Sequence, residues 1–268
     1  MIIGLSGKKQ SGKDLTGKIF QALTDKPTSF DGMSIITEKD IDYKVWDVPR
    51  YKTKKFADKL KDITCLLTGL TREQLESEEY KNLPLGPKWN RTVWNIVTKE
   101  EAVLESYYSE EEAKEGMSHW EEYYTPTTRI VEELIVMTPR KMLQLLGTEC
   151  GRQIIHPDIW VNSLFADCLP TKSDHAPGGF EYPNWIITDV RFPNEAEAIK
   201  ERHGLLVRLE SNRCNNNDFH PSETALDNYG GKGNEVLTNR WDKVIYNNGT
   251  ILDLVNQVKR LITVKNIK

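Results

Sequence analysis

Cysteine is scarce and scattered in this chain of 268 residues: four thiols, at Cys65, Cys150, Cys168 and Cys214, with no C-x-x-C pair among them. That spacing excludes the common paired-thiol zinc sites and points to isolated thiols in a reducing compartment. Long hydrophobic runs are also missing. No stretch approaches the roughly 18–20 apolar residues that span a bilayer, and segments such as RIVEELIVM are broken by charge and read as amphipathic. The N-terminus has no basic segment, apolar core and small-residue cleavage site in series, so no signal peptide is expected and the cytoplasm is the expected compartment. Positive charge is not in excess either: 36 Lys and Arg stand against 40 Asp and Glu, a net charge of −4. This is a poor footprint for general nucleic-acid binding, although it leaves room for a local basic patch that takes small phosphorylated ligands.

What is present is an ordinary globular composition, 38% hydrophobic and 28% charged, in a chain long enough for one large α/β domain carrying an insertion. Residues 1–6 form a short apolar run that suits a buried parallel strand. Leu15, Ile19 and Leu23 recur at helical spacing just after it. A strand is expected over residues 51–57, then a helix in DKLKDITCLLTGL that stops at Gly69. Residues 71–130 differ in texture, being rich in Glu, Tyr and Trp, and read as a largely helical insertion that serves as a lid or a homodimer surface. Helical patterning returns in TPRKMLQLLGTECGRQ, where Pro139 suits the first turn and Gly147 ends the helix or admits a substrate. HPDIWVNSLFADCL reads as another helix and residues 170–183 as a surface loop. NWIITD and LLVRLE read as strands, and PNEAEAIKERHG as a helix stopped by Gly204. DKVIYNNGTILDLVNQVKRLI reads as strand, turn and amphipathic helix. Alternation of this kind predicts a mostly parallel central sheet covered by helices on both faces.

The chemistry begins at SGKKQSGKD. Gly7 through Gly12 and Lys13 match the phosphate-binding loop G-x-x-x-x-G-K-[ST], with Asp14 where Ser or Thr belongs. The glycines let successive N–H groups converge on phosphate oxygens, the helix N-terminus adds a favourable dipole, and Lys13 reaches the β- and γ-phosphates. Position between a strand and a helix is what gives the pattern weight. Gly7, Lys8, Lys9, Ser11, Gly12, Lys13, Asp14 and Leu15 form the expected ATP-binding set. A hydroxyl at position 14 would touch nucleotide-bound magnesium. The carboxylate of Asp14 could contact the metal, directly or through water, or act on the acceptor; its structural alternative is a first-turn acid favoured by the helix dipole.

Other polar residues gather around this motif. Asp189 ends the apolar run IITD, the place for an acid that faces magnesium or its waters, and Arg191 follows in the same crevice. A turn or cap role is the alternative for Asp189, and simple solvation for Arg191. Arg140, Gln144 and Thr148 recur at four-residue steps and share a face of a continuous helix; Arg suits a monophosphate and Gln a base edge. Glu149 and Arg152 complete that run, with an ion pair between them as the structural alternative. His220, Ser222 and Glu223 form a compact cluster in HPSE, better read as a turn and helix cap than as a loop over the nucleotide.

With SGKKQSGKD, the segments KKFADKLKDI, TPRKMLQLLGTECGR with Trp160 downstream, IITDVRFPNEAEAI and HPSETALDN…DKVIYNNGTILDLV, the chain resembles the phage-type deoxynucleoside monophosphate kinases. The matches cover most of the chain but little of residues 24–50 and 71–130, and Lys59 stands where that family segment has proline. The resemblance implies a P-loop three-layer kinase fold, with residues 1–268 as one domain. It also implies transfer of a phosphoryl group from ATP, with Mg2+, to a deoxynucleoside monophosphate in the host cytoplasm. Arg140, Gln144, Gly147 and Trp160 would line the acceptor pocket, with Trp160 stacking on the base, and Lys55 and Lys61 would hold the acceptor phosphate. Lys13, Asp14, Arg140, Asp189 and Arg191 form the implied catalytic set. The alternatives are a phosphomevalonate-type kinase, which shares the Gly-Lys-Asp loop, and a P-loop nucleotide switch or regulatory ATPase whose 71–130 segment binds a partner.

Overall fold

The computed structural model describes residues 1–25, 49–98, 103–124, 129–174, 179–214, 224–227, 229 and 240–267. The HPSE cluster and most of residues 24–50 lie outside them. The chain divides into two compact units, one of residues 1–59 with 151–268 and the other of residues 60–150.

The first unit is built on five parallel strands. Strand β1 (Ile2–Gly7) and helix α1 (Lys13–Thr24) open it, followed by β2 (Lys52–Lys54) and the start of α2 (Asp58–Thr68). Thus only the first part of the expected 51–57 run is strand. The helix α2 ends where Gly69 takes a left-handed φ of 74° and its N–H bonds back to the Cys65 carbonyl, as glycine at that position favours.

The second unit contains residues 71–130, the segment expected to be a largely helical insertion. It does hold helices α2, α3 (Arg72–Glu76), α4 (Glu110–Tyr124) and α5 (Pro139–Gln144), but it also contains an unforeseen antiparallel sheet. Strand β3 (Arg91–Val97) lies between β4 (Val103–Tyr107) and β5 (Arg129–Ile135). The cause is local: RTVWNIV is dense in β-branched and aromatic residues that suit a half-buried pleat, and β3 buries Val93, Asn95, Ile96 and Val97. The helix expected from TPRKMLQLLGTECGRQ starts at Pro139 with Thr138 as its cap. It then continues through Gly147 as a π-helical segment, Leu145–Ile155, rather than ending there. Widening of the turn breaks the four-residue step that would have set Thr148 in line with Arg140 and Gln144.

Back in the first unit come α6 (Ile159–Phe165), a two-residue ribbon of β6 (Thr171–Lys172) with β7 (Phe180–Glu181) where a plain loop was expected, and β8 (Trp185–Val190). Helix α7 (Pro193–Glu201), β9 (Leu205–Glu210), β10 (Lys243–Tyr246) and α8 (Ile251–Val264) follow. The sheet order is β10-β9-β1-β8-β2, every pair parallel. Alternation along the strands loads two cores. Ile2, Trp185, Ile187 and Leu206 pack with Val161, Leu164, Phe165, Ala196 and Ile199 from α6 and α7. Ile3, Leu5, Ile186, Val207 and Leu209 pack with Ile19, Phe20, Leu254, Val255 and Val258 from α1 and α8. The three-layer parallel-sheet architecture is therefore as the alternation predicts.

Gly204 marks a tight junction. The left-handed turn after α7 is taken by His203 (φ 54°), while the Gly204 N–H closes the helix end on the Ile199 carbonyl at 2.9 Å and Gly204 also serves close approach. A Cβ there would lie 2.8 Å from the Ile199 carbonyl oxygen and 2.9 Å from that of Ile2. Gly204→Ala should therefore lower the unfolding free energy by about 1–3 kcal/mol, read from urea denaturation; an unchanged midpoint would mean that the backbone yields there without strain.

Candidate functional site

The loop between β1 and α1 is shaped by two glycines and closed by its own backbone. Gly12 caps α1 in a left-handed conformation (φ 95°, ψ 21°), open to glycine without the cost other residues meet. The Ser11 N–H donates to the Lys8 carbonyl at 3.1 Å. The Gly12 carbonyl accepts from both the N–H and the hydroxyl of Thr16, at 2.8 and 2.9 Å. Lys13 opens the helix and turns its ammonium back over the loop, donating to the carbonyls of Gly7 (2.5 Å) and Lys8 (2.7 Å). Lys9 is exposed and Ser11 is fully buried, whereas Leu15, expected in the nucleotide set, packs its side chain against the core.

Lys8 leads into a charge network. Its ammonium pairs with Asp227 at 3.0 Å, and the other oxygen of Asp227 faces the Arg208 guanidinium at 3.5 Å. Arg208 in turn donates to the Ser6 hydroxyl and lies over the Trp241 ring. Asp227 and Arg208 gave no signal in the sequence beyond an acid in ALDN and a lone arginine within a strand.

Asp14 is exposed on the first turn of α1, and one of its oxygens, Oδ1, meets Lys55 Nζ at 2.9 Å and the Thr188 hydroxyl at 3.0 Å. Partial burial pushes its carboxyl up. The hydrogen bond and charge of Lys55, the Thr188 hydroxyl and the charge of Lys13 outweigh that push and hold the group below the usual carboxylate range. Lys55 reaches Asp14 because the turn that carries it is pinned. Asp58 accepts from the Lys55 N–H, and Asp189 accepts from the N–H groups of Phe56 (2.8 Å) and Ala57 (3.0 Å), one on each oxygen. Asp189 was expected to face magnesium; here both its oxygens hold the turn after β2. Burial pushes its carboxyl above the ordinary range, against those two donors and Arg191.

A second buried carboxylate, Glu195, went unnoticed within RFPNEAEAI. It caps α7 by accepting from the N–H groups of Arg191 (2.7 Å) and Phe192 (3.1 Å), while its other oxygen takes Arg152 Nη2 at 2.7 Å. The pairing considered between Arg152 and Glu149 is thus made with Glu195 instead, and Arg152 also stacks on Phe192 at 4.0 Å. Burial and the neighbouring charge of Asp189 push Glu195 up to about 7 despite Arg152.

In the second unit, Arg140 donates to Asn82 and pairs with Glu78 at 2.7 Å, and Lys61 pairs with Glu76 at 2.6 Å. There Gln144 and Glu149 are exposed, Thr148 is half-buried, and Gly147 is buried with room for a Cβ only 2.9 Å from Leu60. In the first unit, Trp160 is 6% exposed and Lys59 pairs with Asp167.

A glycine loop between a central parallel strand and a helix, with a lysine over the loop and an acid on the first turn, defines a P-loop nucleotide enzyme. The family model for "Deoxynucleotide monophosphate kinase" matches residues 1–258, and the chain belongs to that family. It is similar to the deoxynucleoside-5'-monophosphate kinase of Escherichia phage T5, at 27% identity over 243 residues that cover 84% of this chain and 85% of that protein. It is also similar to an Acanthamoeba polyphaga mimivirus protein provisionally assigned to the same kinase class, at 33% identity over 130 residues, 45% of this chain and 59% of that protein. The chain is therefore a kinase, which decides against the nucleotide switch and the phosphomevalonate-type reading. Among the described residues, no helix is long and apolar enough to cross a membrane.

Glu195 supplies a pH test. Its folded-state value stands above the free value of 4.5, so its stabilising contribution is full below about pH 4.5 and is lost as the pH rises through about 7. Unfolding free energy measured in urea from about pH 5 to 8 should fall more steeply for the native chain than for Glu195→Gln; equal slopes would remove Glu195 as the cause.

Proposed function

We propose that the chain transfers the γ-phosphoryl group of ATP to a deoxynucleoside monophosphate, giving the diphosphate and ADP, with residues 7–13 as the donor site. The carrying observation is the loop–helix junction, where left-handed Gly12 sets Lys13 and Asp14 side by side at the N-terminus of α1. The loop amides and the helix dipole favour the phosphates. Lys13 exchanges its two carbonyl partners for phosphate oxygens, and Lys8 and Lys9 add positive charge at the rim. In the reaction an acceptor phosphate oxygen forms the new bond as the β–γ bridge bond breaks. The chain contributes position and electrostatics rather than covalent chemistry.

Asp14 is the residue we assign to the magnesium that accompanies ATP. Among the described residues no three His, Cys, Asp or Glu side chains gather as a metal site. A donor set of one ionised carboxylate completed by phosphate oxygens and water fits Mg2+, which keeps several waters. The metal, when bound with the nucleotide, neutralises charge on the phosphate oxygens. Lys55, held beside Asp14, serves the acceptor phosphate, and Asp189 acts through the turn that carries Lys55. Arg191 adds positive charge at the same strand end. Within the second unit, Arg140, Gln144, Gly147 and Thr148 are assigned to recognition of the acceptor, with Arg140 exchanging its Glu78 contact for a phosphate oxygen. Lys61 and Glu149, also in the second unit, belong to the same acceptor set. In the first unit Trp160 is buried and Arg152 is held by Glu195.

The test is acceptor dependence. ATP and Mg2+ incubated with each deoxynucleoside monophosphate should yield diphosphate only when the acceptor is present, and mevalonate 5-phosphate should yield none. Lys13→Ala should cut turnover at least about 100-fold, the scale of losing a charged phosphate contact, with an unchanged circular dichroism spectrum. Turnover retained in that variant, or ATP hydrolysis indifferent to acceptor, would reject the assignment.

A further inference from the structure

One buried polar side chain bears on the phosphate loop from the opposite end of the chain. Asn247 follows β10 and is 8% exposed. Its backbone is fixed on two sides: its N–H donates to the Glu210 carbonyl at 2.8 Å, and its own carbonyl accepts from the Ser211 hydroxyl at 3.0 Å. From that base its side-chain amide donates to the Ser11 carbonyl at 3.0 Å. Ser11 and Asn247 are 236 residues apart, so only the sheet order brings them together.

The consequence follows from the geometry of a peptide group. In a trans peptide the C=O and N–H lie in one plane and point to opposite sides. The Ser11 carbonyl and the Gly12 N–H belong to the same plane. Drawing the carbonyl towards Asn247 therefore turns the Gly12 N–H away from Asn247. Gly12 does not impose this orientation itself, because glycine has no Cβ to oppose a flip of the preceding peptide. Asn247 also explains why glycine stands there: a Cβ at position 12 would lie 2.5 Å from its amide nitrogen. A donor fixed before the anion arrives needs no reorganisation when it does.

We propose that Asn247 is a positioning residue for the phosphoryl donor: it holds the Ser11–Gly12 peptide so that the Gly12 N–H faces the bound phosphates. The proposal rests on the reading of residues 7–13 as the ATP site. Asn247→Asp keeps the size of the side chain while setting an acceptor against the Ser11 carbonyl, and Asn247→Ala removes the tether without repulsion.

Both variants are measured by steady-state kinetics with ATP and acceptor varied separately, and by thermal unfolding with and without ATP and Mg2+. In Asn247→Asp, KM for ATP rises at least about tenfold, the equivalent of one hydrogen bond to a charged group, and KM for the acceptor stays within about twofold. Asn247→Ala moves in the same direction by less. Tm without nucleotide falls in both, because each takes a donor from the buried Ser11 carbonyl, and the rise in Tm that ATP gives the native chain shrinks as well. Asn248→Ala is the control: its side chain accepts from the Asn212 N–H at 2.7 Å, and the variant leaves both KM values as they are. An unchanged KM for ATP in both Asn247 variants overturns the proposal. So does an equal rise in both KM values with the ATP-dependent rise in Tm retained, which marks a purely structural role. Lys13→Ala separates the two levels: activity retained there fails the donor-site reading, whereas activity lost there with native ATP kinetics in Asn247→Asp fails this proposal alone.

Discussion

Burial of β1 on both faces is the constraint from which the site follows. Ile2 enters one core while Ile3 and Leu5 enter the other, so the strand has no free face and must lie between neighbours. Those neighbours, β8 and β9, are parallel to it, and β10 continues the series. Parallel strands deliver their carboxyl ends to one rim. The loop after β1, Asp189 on β8, Arg208 on β9 and Asn247 after β10 therefore arrive along one edge of the sheet. Shifting any strand against β1 would separate residues that are hundreds of positions apart in the chain.

The carboxylates at this rim divide into two kinds. Asp189 and Glu195 are buried and spend their oxygens on backbone N–H groups and Arg152. Buried acids need such partners to offset desolvation. Between them they fix the turn that carries Lys55 and the start of α7. Asp14 is exposed and ionised, with Lys55 and Thr188 sharing one of its oxygens. The buried pair shapes the backbone, whereas the exposed acid is held by side chains, Lys55 and Thr188.

How much of this could be read from the sequence depended on how local each signal was. The phosphate loop, the alternation of strands and helices and the cap at Gly69 are encoded within a few adjacent residues. RTVWNIV carried a usable strand signal, masked by the glutamates and aromatics around it. The π-helical course through Gly147 was not legible, because spacing alone cannot distinguish a wide turn from an α-turn. Glu195, Asp227 and Asn247 were missed for a different reason. Each has an ordinary identity in an ordinary segment, and its partner lies on another element that only the tertiary fold brings near. Asp189 was singled out correctly as a strand-end acid, but which groups its oxygens meet depends on a turn more than 130 residues earlier.

The ion pairs around the loop also set the range over which the protein acts on an approaching anion. Lys8, Lys9, Lys13, Lys55 and Arg208 stand there against Asp14 and Asp227, a local excess of three positive charges in a chain whose net charge is −4. Screening in physiological salt confines each field to about 8 Å. At longer range neither the net negative charge nor this local excess is felt, and the local excess attracts an anion only within about that distance of the loop. The electrostatics of this rim are therefore contact-range, with little long-range steering of an anion.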